Sequence, residues 1–235
     1  MNGWDQSAAA WIADMGGDGD RGRRFVLDRA LTDRLAGRSF KTMLDVGCGE
    51  GRLCRLFQPL GLSTTGLDPT RALLAHARAC DPAGRYIEAS AEAMPLPDEA
   101  FDLVVSCLSL IDIADFRAAI REMARVLQPG GTILVANLTA MNTAGAGLRW
   151  RRDIFGAKTH YALDNYMTER ADWEEWRGIR IQNWHRPLSA YMQAFLGEGL
   201  ILAHFDEPLP HDGDRQWRAD YARMPWFVVM EWRKP

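Results

Sequence analysis

Three glycines, Gly47, Gly49 and Gly51, alternate with Cys48 and Glu50 directly after the apolar run Thr42-Met43-Leu44-Asp45-Val46. Glycine lets a backbone take positive φ and pass close to a ligand, and a helix that follows presents unpaired N–H groups to it. The spacing separates ligand classes. A dinucleotide loop, Gly-x-Gly-x-x-Gly, needs glycine at position 52, where Arg52 stands. Gly-x-Gly-x-Gly suits a ligand with no pyrophosphate to cradle. Asp68 closes the next apolar run and can accept from both hydroxyls of a ribose. The bland reading is a tight turn with Asp68 capping its helix; glycines and acid together favour a nucleoside ligand.

For proton transfer the best single candidate is His185, in Trp184-His185-Arg186-Pro187, where a neutral imidazole at a junction can act as general base. A packing or capping role competes with it. His160 and Tyr161 are second choices. Arg21, Arg23 and Arg24 follow a glycine-rich run, where one can pair with a ligand carboxylate or simply start a solvated helix. Trp4 and Trp11 are placed either to close over a ligand or to anchor the N-terminus on the fold. Asp112 and Asn137 are two potential metal ligands without a third, so no metal is expected.

Positioning these groups takes alternating strands and helices. Strands are expected at 42–46, 63–67, 86–87, 101–106 and 132–136. Helices are expected at 52–60, from Pro69 to Ala79, and at 115–127, where Phe116, Ile120, Met123 and Leu127 share a face. Such alternation implies a parallel sheet covered on both faces, with ligands beyond the carboxyl ends of its strands. Upstream lie helices at 4–15 and 23–36. After Pro187 come another helix and two strands, 200–205 and 226–232, joined by a loop with Pro208, Pro210 and Gly213, expected as an antiparallel edge. The expected fold is α/β, a Rossmann-like doubly wound sheet of seven strands, mostly parallel, with an antiparallel final hairpin and helices on both faces. One domain spans 1–235, with an N-terminal helical cap at 1–40. Residues 138–186, polar and aromatic, form an insert expected to lie as a lid over the strand ends. Within it Arg149-Trp150-Arg151-Arg152 is the one basic-aromatic cluster; it reads as a solvated helix face, with a phosphate or RNA contact as the competing reading.

Leu44–Leu53 resembles the first motif of class I (seven-stranded) S-adenosylmethionine-dependent methyltransferases, in their small-molecule type. Gly66-Leu67-Asp68-Pro69 resembles the ribose-binding second motif. The stretch from Ala89 to Asp102 resembles the adenine-side segment, and Arg125-Val126-Leu127-Gln128-Pro129-Gly130-Gly131 the helix-to-fifth-strand signature. The resemblance implies that S-adenosylmethionine binds here and leaves as S-adenosylhomocysteine. It places Asp45 by the methionyl amino group, Gly47, Cys48, Gly49 and Gly51 around the methionine and ribose portions, and Asp68 and Pro69 at the ribose. Ser90, Ala91 and Glu92 fall beside the adenine, and Ser106 contacts the methionine end through its backbone. Aspartate is common at the position of Ser90, so Ala91 and Glu92 are expected to share that contact.

The 235 residues are 47% hydrophobic and 25% charged, with a formal net charge of -3, so no global positive field attracts nucleic acid or anionic lipid. Ser106-Cys107-Leu108-Ser109 lacks the prolines of nucleic-acid amino-methyltransferases, which argues against DNA and disfavours RNA. No apolar run spans a bilayer, and the N-terminus lacks a signal-peptide pattern, so no membrane partner is expected. Four scattered cysteines point to a reducing cytoplasm. The expected protein is therefore a cytoplasmic methyltransferase, monomer or homodimer, acting on a small-molecule acceptor by O- or N-methylation. Competing readings are a non-catalytic S-adenosylmethionine-binding regulator and an RNA or protein methyltransferase.

Overall fold

The computed structural model describes residues 2–235. Its centre is a seven-stranded sheet of β1 (Thr42–Val46), β2 (Ser63–Asp68), β3 (Arg85–Glu88), β4 (Phe101–Cys107), β5 (Leu127–Leu138), β10 (Ile201–Asp206) and β11 (Phe227–Arg233), in the order β10-β11-β5-β4-β1-β2-β3. Pairings among β1 to β5 are parallel; β11 runs antiparallel to both β5 and β10. Within this sheet β11 is therefore the one strand that runs against the rest. The order reverses between β1 and β4, which sets a crevice beyond their carboxyl ends.

Alternation along each strand feeds two cores. Leu44, Val46, Val104, Ile133 and Val135 face the side covered by α5 (Phe116–Val126) and α7 (Leu188–Gly197). Met43, Leu103, Val105, Leu134 and Ala136 face α2 (Asp28–Leu35), α3 (Arg52–Phe57) and α4 (Arg71–Cys80). These strands read as apolar runs because both faces are buried. Asp115 caps α5, its carboxylate accepting from the Ala118 N–H at 3.0 Å.

The expected seven-stranded sheet is present, with local differences. The helix foreseen at 23–36 splits into a π-helical turn at Arg23–Leu27 and α2. Pro59 turns the end of the 52–60 helix into a 3-10 turn. The strand foreseen at 132–136 starts at Leu127 because Pro129-Gly130-Gly131 bulges out of register, and Gly130 (φ 77°) needs the left-handed region. The loop foreseen between the last two strands contains α8 (Arg215–Arg223), capped by Asp214, whose carboxylate accepts from the Trp217 N–H at 2.8 Å.

The 138–186 segment differs most. It holds α6 (Ala140–Ala144) and two antiparallel hairpins, β6 (Trp150–Arg152) with β7 (Lys158–Tyr161), and β8 (Arg170–Trp176) with β9 (Ile179–His185). Arg149-Trp150-Arg151-Arg152 thus lies on a hairpin strand and its approach, not on a helix. Residues 4–15 form α1, which packs on β9: the Ser7 hydroxyl donates to the Arg180 carbonyl (3.0 Å) and the Gln182 N–H to the Asn2 carbonyl (2.9 Å). Among the described residues no helix is long and apolar enough to cross a membrane.

Candidate active site

At the switch point lies a cavity of about 270 Å³. Its floor is the glycine loop. The Gly47 and Cys48 N–H groups both donate to the Leu67 carbonyl (2.7 and 3.1 Å), tying the loop to the end of β2. Gly47 has φ 75°, and a Cβ there would stand 2.3 Å from the Ser109 Cβ; at Gly51, φ 76°, it would strike the Tyr86 ring. No other residue fits either position. Gly51 starts α3 and does not line the cavity, whereas Asp45, Gly47, Cys48 and Gly49 do.

Asp68 is 7% exposed at the cavity wall. One of its oxygens accepts from the Gly49 N–H (2.9 Å) and the other from the Thr70 N–H (2.8 Å). A carboxylate has about four lone-pair sites, so capacity remains for a diol. Asp68 therefore shapes the loop and lines the cavity at once. Pro69, Ser90, Ala91 and Glu92 also line the cavity, and Ser90 donates its hydroxyl to Glu92 in a short contact. Ser106 does not line it. Fully buried, its hydroxyl meets that of Ser109 at 2.7 Å, and Ser109 in turn donates to the Val46 carbonyl. The wall after β4 is formed instead by Cys107, Leu108, Ser109 and Asp112.

The cavity is acidic. Asp45 is pushed up to about 8 by burial and by the neighbouring Asp68 and Glu50 carboxylates. Asp112 is likewise raised to about 8 by burial, against the opposing pull of a 2.5 Å hydrogen bond from the Asn183 amide. Glu50 accepts from the Trp11 indole N–H (3.2 Å). Of the two lining guanidinium groups, Arg52 is engaged by Asp28 and the Asp18 carbonyl, while Arg23 pairs with Asp20 beneath the Trp11 ring. Such a wall fits a ligand with a ribose, a cationic end and one carboxylate. S-adenosylmethionine carries a sulfonium and an ammonium, which the buried acids suit, and of Arg21, Arg23 and Arg24 only Arg23 lines the cavity. Trp4 and Trp11, ring centroids 5.0 Å apart edge to face, line the same cavity. Glu50, Thr70, Leu73, Gln182 and Trp184 also line it and carry no signal in the sequence that singles them out.

A second cavity of about 260 Å³ lies beyond the ends of β5 and α6. The β8–β9 hairpin divides the two. Gln182 and Trp184 face the first, while Asp172, Glu174, Trp176, Asn183 and His185 face the second, as the two-residue period of paired strands requires. His185 is 1% exposed; its Nε2 bonds the Tyr166 carbonyl (2.8 Å) and its Nδ1 the Thr143 hydroxyl (2.7 Å). A carbonyl only accepts, so Nε2 carries the hydrogen and Nδ1 accepts from Thr143. Burial lowers the pKa of the ring, favouring this neutral form. Neither nitrogen is free to take a proton in the first cavity. Tyr161 lines the second cavity and His160 is exposed beside it. Asn137 is buried on β5 and lines neither. Arg186, fully enclosed, donates to the Leu110, Ile113 and Ala114 carbonyls (2.8, 2.6 and 3.0 Å), fixing the segment that carries Asp112. Among the described residues no three His, Cys, Asp or Glu side chains gather as a metal site.

A family profile described as a methyltransferase domain matches residues 44–135. A malonyl-[acyl-carrier protein] O-methyltransferase of Salmonella typhimurium is 39% identical over 178 residues, covering 74% of this chain and 71% of the relative. One from Enterobacter lignolyticus is 37% identical over 122 residues, 52% of this chain, and the match spans about half (49%) of that relative's length. The crystal structure of an S-adenosylmethionine-dependent methyltransferase from Mesorhizobium loti superposes with TM-score 0.78 at 28% identity, over 93% of this chain and 100% of the other. With the glycine loop, the cavity-lining Asp68 and the acid-walled cavity at the switch point, these likenesses place the chain in the S-adenosylmethionine-dependent methyltransferase family.

Proposed function

We propose that this protein transfers a methyl group from S-adenosylmethionine to a carboxylate oxygen of a small acyl acceptor. The observation that carries the reading is the acid-walled cavity, which matches a cationic methyl donor, in a chain 39% identical over 178 residues to an enzyme named for O-methylation of a malonyl group. The donor supplies an electrophilic methyl on sulfur. A carboxylate oxygen forms the new C–O bond as the C–S bond breaks, and the anionic and cationic charges cancel. No proton is removed, so no general base is needed, which agrees with a His185 locked by two hydrogen bonds. The protein's part is to align the partners and exclude water. Trp4, Trp11 and Trp184 supply the apolar walls that make charge cancellation favourable. His185 serves here as a positioning residue holding α6 to the Tyr166 segment. The four unpaired thiols suit a reducing cytoplasm.

The test is incubation with S-adenosylmethionine and malonyl thioesters, on acyl carrier protein and on N-acetylcysteamine, with the products read by mass spectrometry. A methyl ester on the free carboxyl is expected. Donor binding without transfer to any acid acceptor would return the chain to the regulator reading.

A further inference from the structure

An anionic acceptor faces an electrostatic obstacle in this cavity. Asp45, Glu50 and Asp68 line it, and both lining guanidinium groups are already paired, Arg52 with Asp28 and Arg23 with Asp20. A carboxylate brought in beside the donor therefore needs a hydrogen-bond donor that is not a cation. Asp112, which also lines the cavity, belongs to a different element from the glycine loop and has no part in the donor contacts described above.

The backbone around Asp112 is pinned. Arg186 donates to the carbonyls of Leu110, Ile113 and Ala114 (2.8, 2.6 and 3.0 Å), and the Trp184 N–H donates to that of Ile111 (2.6 Å). The Asp112 N–H itself donates to the Ser109 carbonyl (2.9 Å). Loop carbonyls are commonly left to water; here four of the five from 110 to 114 are held by protein groups, which fixes where the Asp112 side chain starts. Its carboxyl is then oriented from two further elements. The Asn183 amide of the β8–β9 septum donates to Oδ1 (2.5 Å), and the Trp4 indole of α1 also bonds the carboxyl. Three separate parts of the chain thus converge on one acid at the cavity wall. Asp68 and Arg23 are the charged groups that act on it, in opposite senses.

Burial and the Asp68 carboxylate outweigh Arg23, the amide and the indole, so Asp112 is a carboxylic acid up to about pH 8. A neutral carboxyl has one O–H to give. A carboxylate within reach of it shares that proton, because two adjacent carboxyl groups do not both ionise. Resting on the acyl-acceptor reading above, we propose that Asp112 receives the acceptor's carboxylate as an acid–carboxylate pair, donating its O–H to one oxygen and leaving the other to attack the methyl. The pair carries one negative charge and the methyl donor a net positive one. As the new C–O bond forms, the C–S electron pair passes to sulfur and the proton stays on Asp112. The O–H is then left bonded to a neutral ester carbonyl, a weaker acceptor than the carboxylate it replaced, which favours product release.

The test is kcat/KM for malonyl-N-acetylcysteamine from pH 6 to 9 at saturating S-adenosylmethionine, in wild type, Asp112→Asn and Asp112→Leu. The wild-type value is level up to about pH 8 and falls by up to about tenfold per unit above it. Asp112→Asn, whose amide donates without titrating, keeps at least a tenth of the wild-type value at pH 7 and has no alkaline limb. Asp112→Leu falls at least tenfold below Asp112→Asn, mainly through KM, while calorimetric affinity for S-adenosylmethionine, the check on folding, stays within threefold. An alkaline limb that persists in Asp112→Asn, or an Asp112→Asn no better than Asp112→Leu, overturns the pair. So does wild-type activity in Asp112→Leu. Should Asp112→Leu fail to bind the donor, the pH profile of Asp112→Asn decides alone. Wild-type protein that methylates the acid but gives any of these results loses only the pair. Wild-type protein that binds the donor and methylates no carboxylate removes the acyl-acceptor reading and the pair together.

Discussion

Asp45 sits 2% exposed with the Cys54 thiol, at 3.8 Å, as its hydrogen-bond partner. With its own neighbours around it, it keeps its proton to about pH 8. A ligand that sets an ammonium against it needs the carboxylate, so binding below that pH releases a proton. Affinity for S-adenosylmethionine is therefore expected to rise between pH 6 and 8, by at most about tenfold per unit, and to level off above. Calorimetry at pH 6, 7, 8 and 9 reads this, and Asp45→Asn flattens the profile. Asp68→Ala removes a candidate diol acceptor together with the anchor of the loop at the Gly49 N–H and the bond to the Thr70 N–H before α4. A charged hydrogen bond contributes about 1.5–3 kcal/mol, so affinity should drop at least ~10- to 100-fold, with Asp68→Asn intermediate because it keeps one acceptor oxygen. His185→Ala leaves the Tyr166 carbonyl without its imidazole donor in a buried site and the Thr143 hydroxyl with only the Ala140 carbonyl (3.3 Å). It is expected to cost roughly 2–4 kcal/mol in urea unfolding and to leave the pH profile of kcat/KM unchanged in shape. A lost titration limb would instead make His185 a base.

At the scale of elements, the hairpin β8–β9 turns at Arg177-Gly178, both with positive φ (44° and 81°), the geometry that matches strand twist. Gly178→Val, forcing a branched side chain into that region, should destabilise by ~1–2 kcal/mol and raise KM for the donor, since Gln182 and Trp184 of the same hairpin line its cavity. A change confined to stability would detach the septum from function. The hairpin was present in the sequence as an Arg-Gly pair followed by alternation of Ile179 and Ile181, yet the segment reads as irregular. Its strands are half-buried and face two cavities lined by mixed polar and aromatic side chains, so apolar residues do not mark one face. By contrast β1, β4 and β5 are buried on both sides and stand out as apolar runs. The helix α8 was legible in part: Trp217 and Tyr221 sit at i and i+4 behind the Asp214 cap, but Pro208, Pro210 and Gly213 just before it speak for a loop. The glycine loop was readable because its function is local in sequence. The Asp112–Asn183 bond joins positions 71 apart and Trp11–Trp176 joins the N-terminus to the insert, and no local pattern announces either.

For the whole molecule, Asp45 and Asp112 couple the site to stability. In the fold each binds its proton to about pH 8, but in the unfolded chain each releases it near pH 4. Their contribution therefore falls as pH rises from about 4 to about 8 and is constant above, by no more than ~1.4 kcal/mol per pH unit and group. The melting temperature should drop between pH 6 and 8, less so in Asp45→Asn/Asp112→Asn, as differential scanning calorimetry can read. The far end of the sheet works in the opposite sense. Glu231, fully buried on β11, would be raised by burial, but Arg34 (2.7 Å) and Arg38 (2.8 Å) outweigh this and hold it below its usual range. That stability is present at neutral pH and is lost as pH falls through the lowered value. The strand pair between the cavities also bears on how such a protein diversifies. On β9 the side chains of Gln182 and Trp184 belong to one chamber and those of Asn183 and His185 to the other. A point change at His185 reaches only the second lining, and one at Asn183 also frees Asp112 in the first, whereas inserting or deleting one residue would exchange the two linings wholesale. Selection on this hairpin should therefore reject changes of length more strongly than single substitutions.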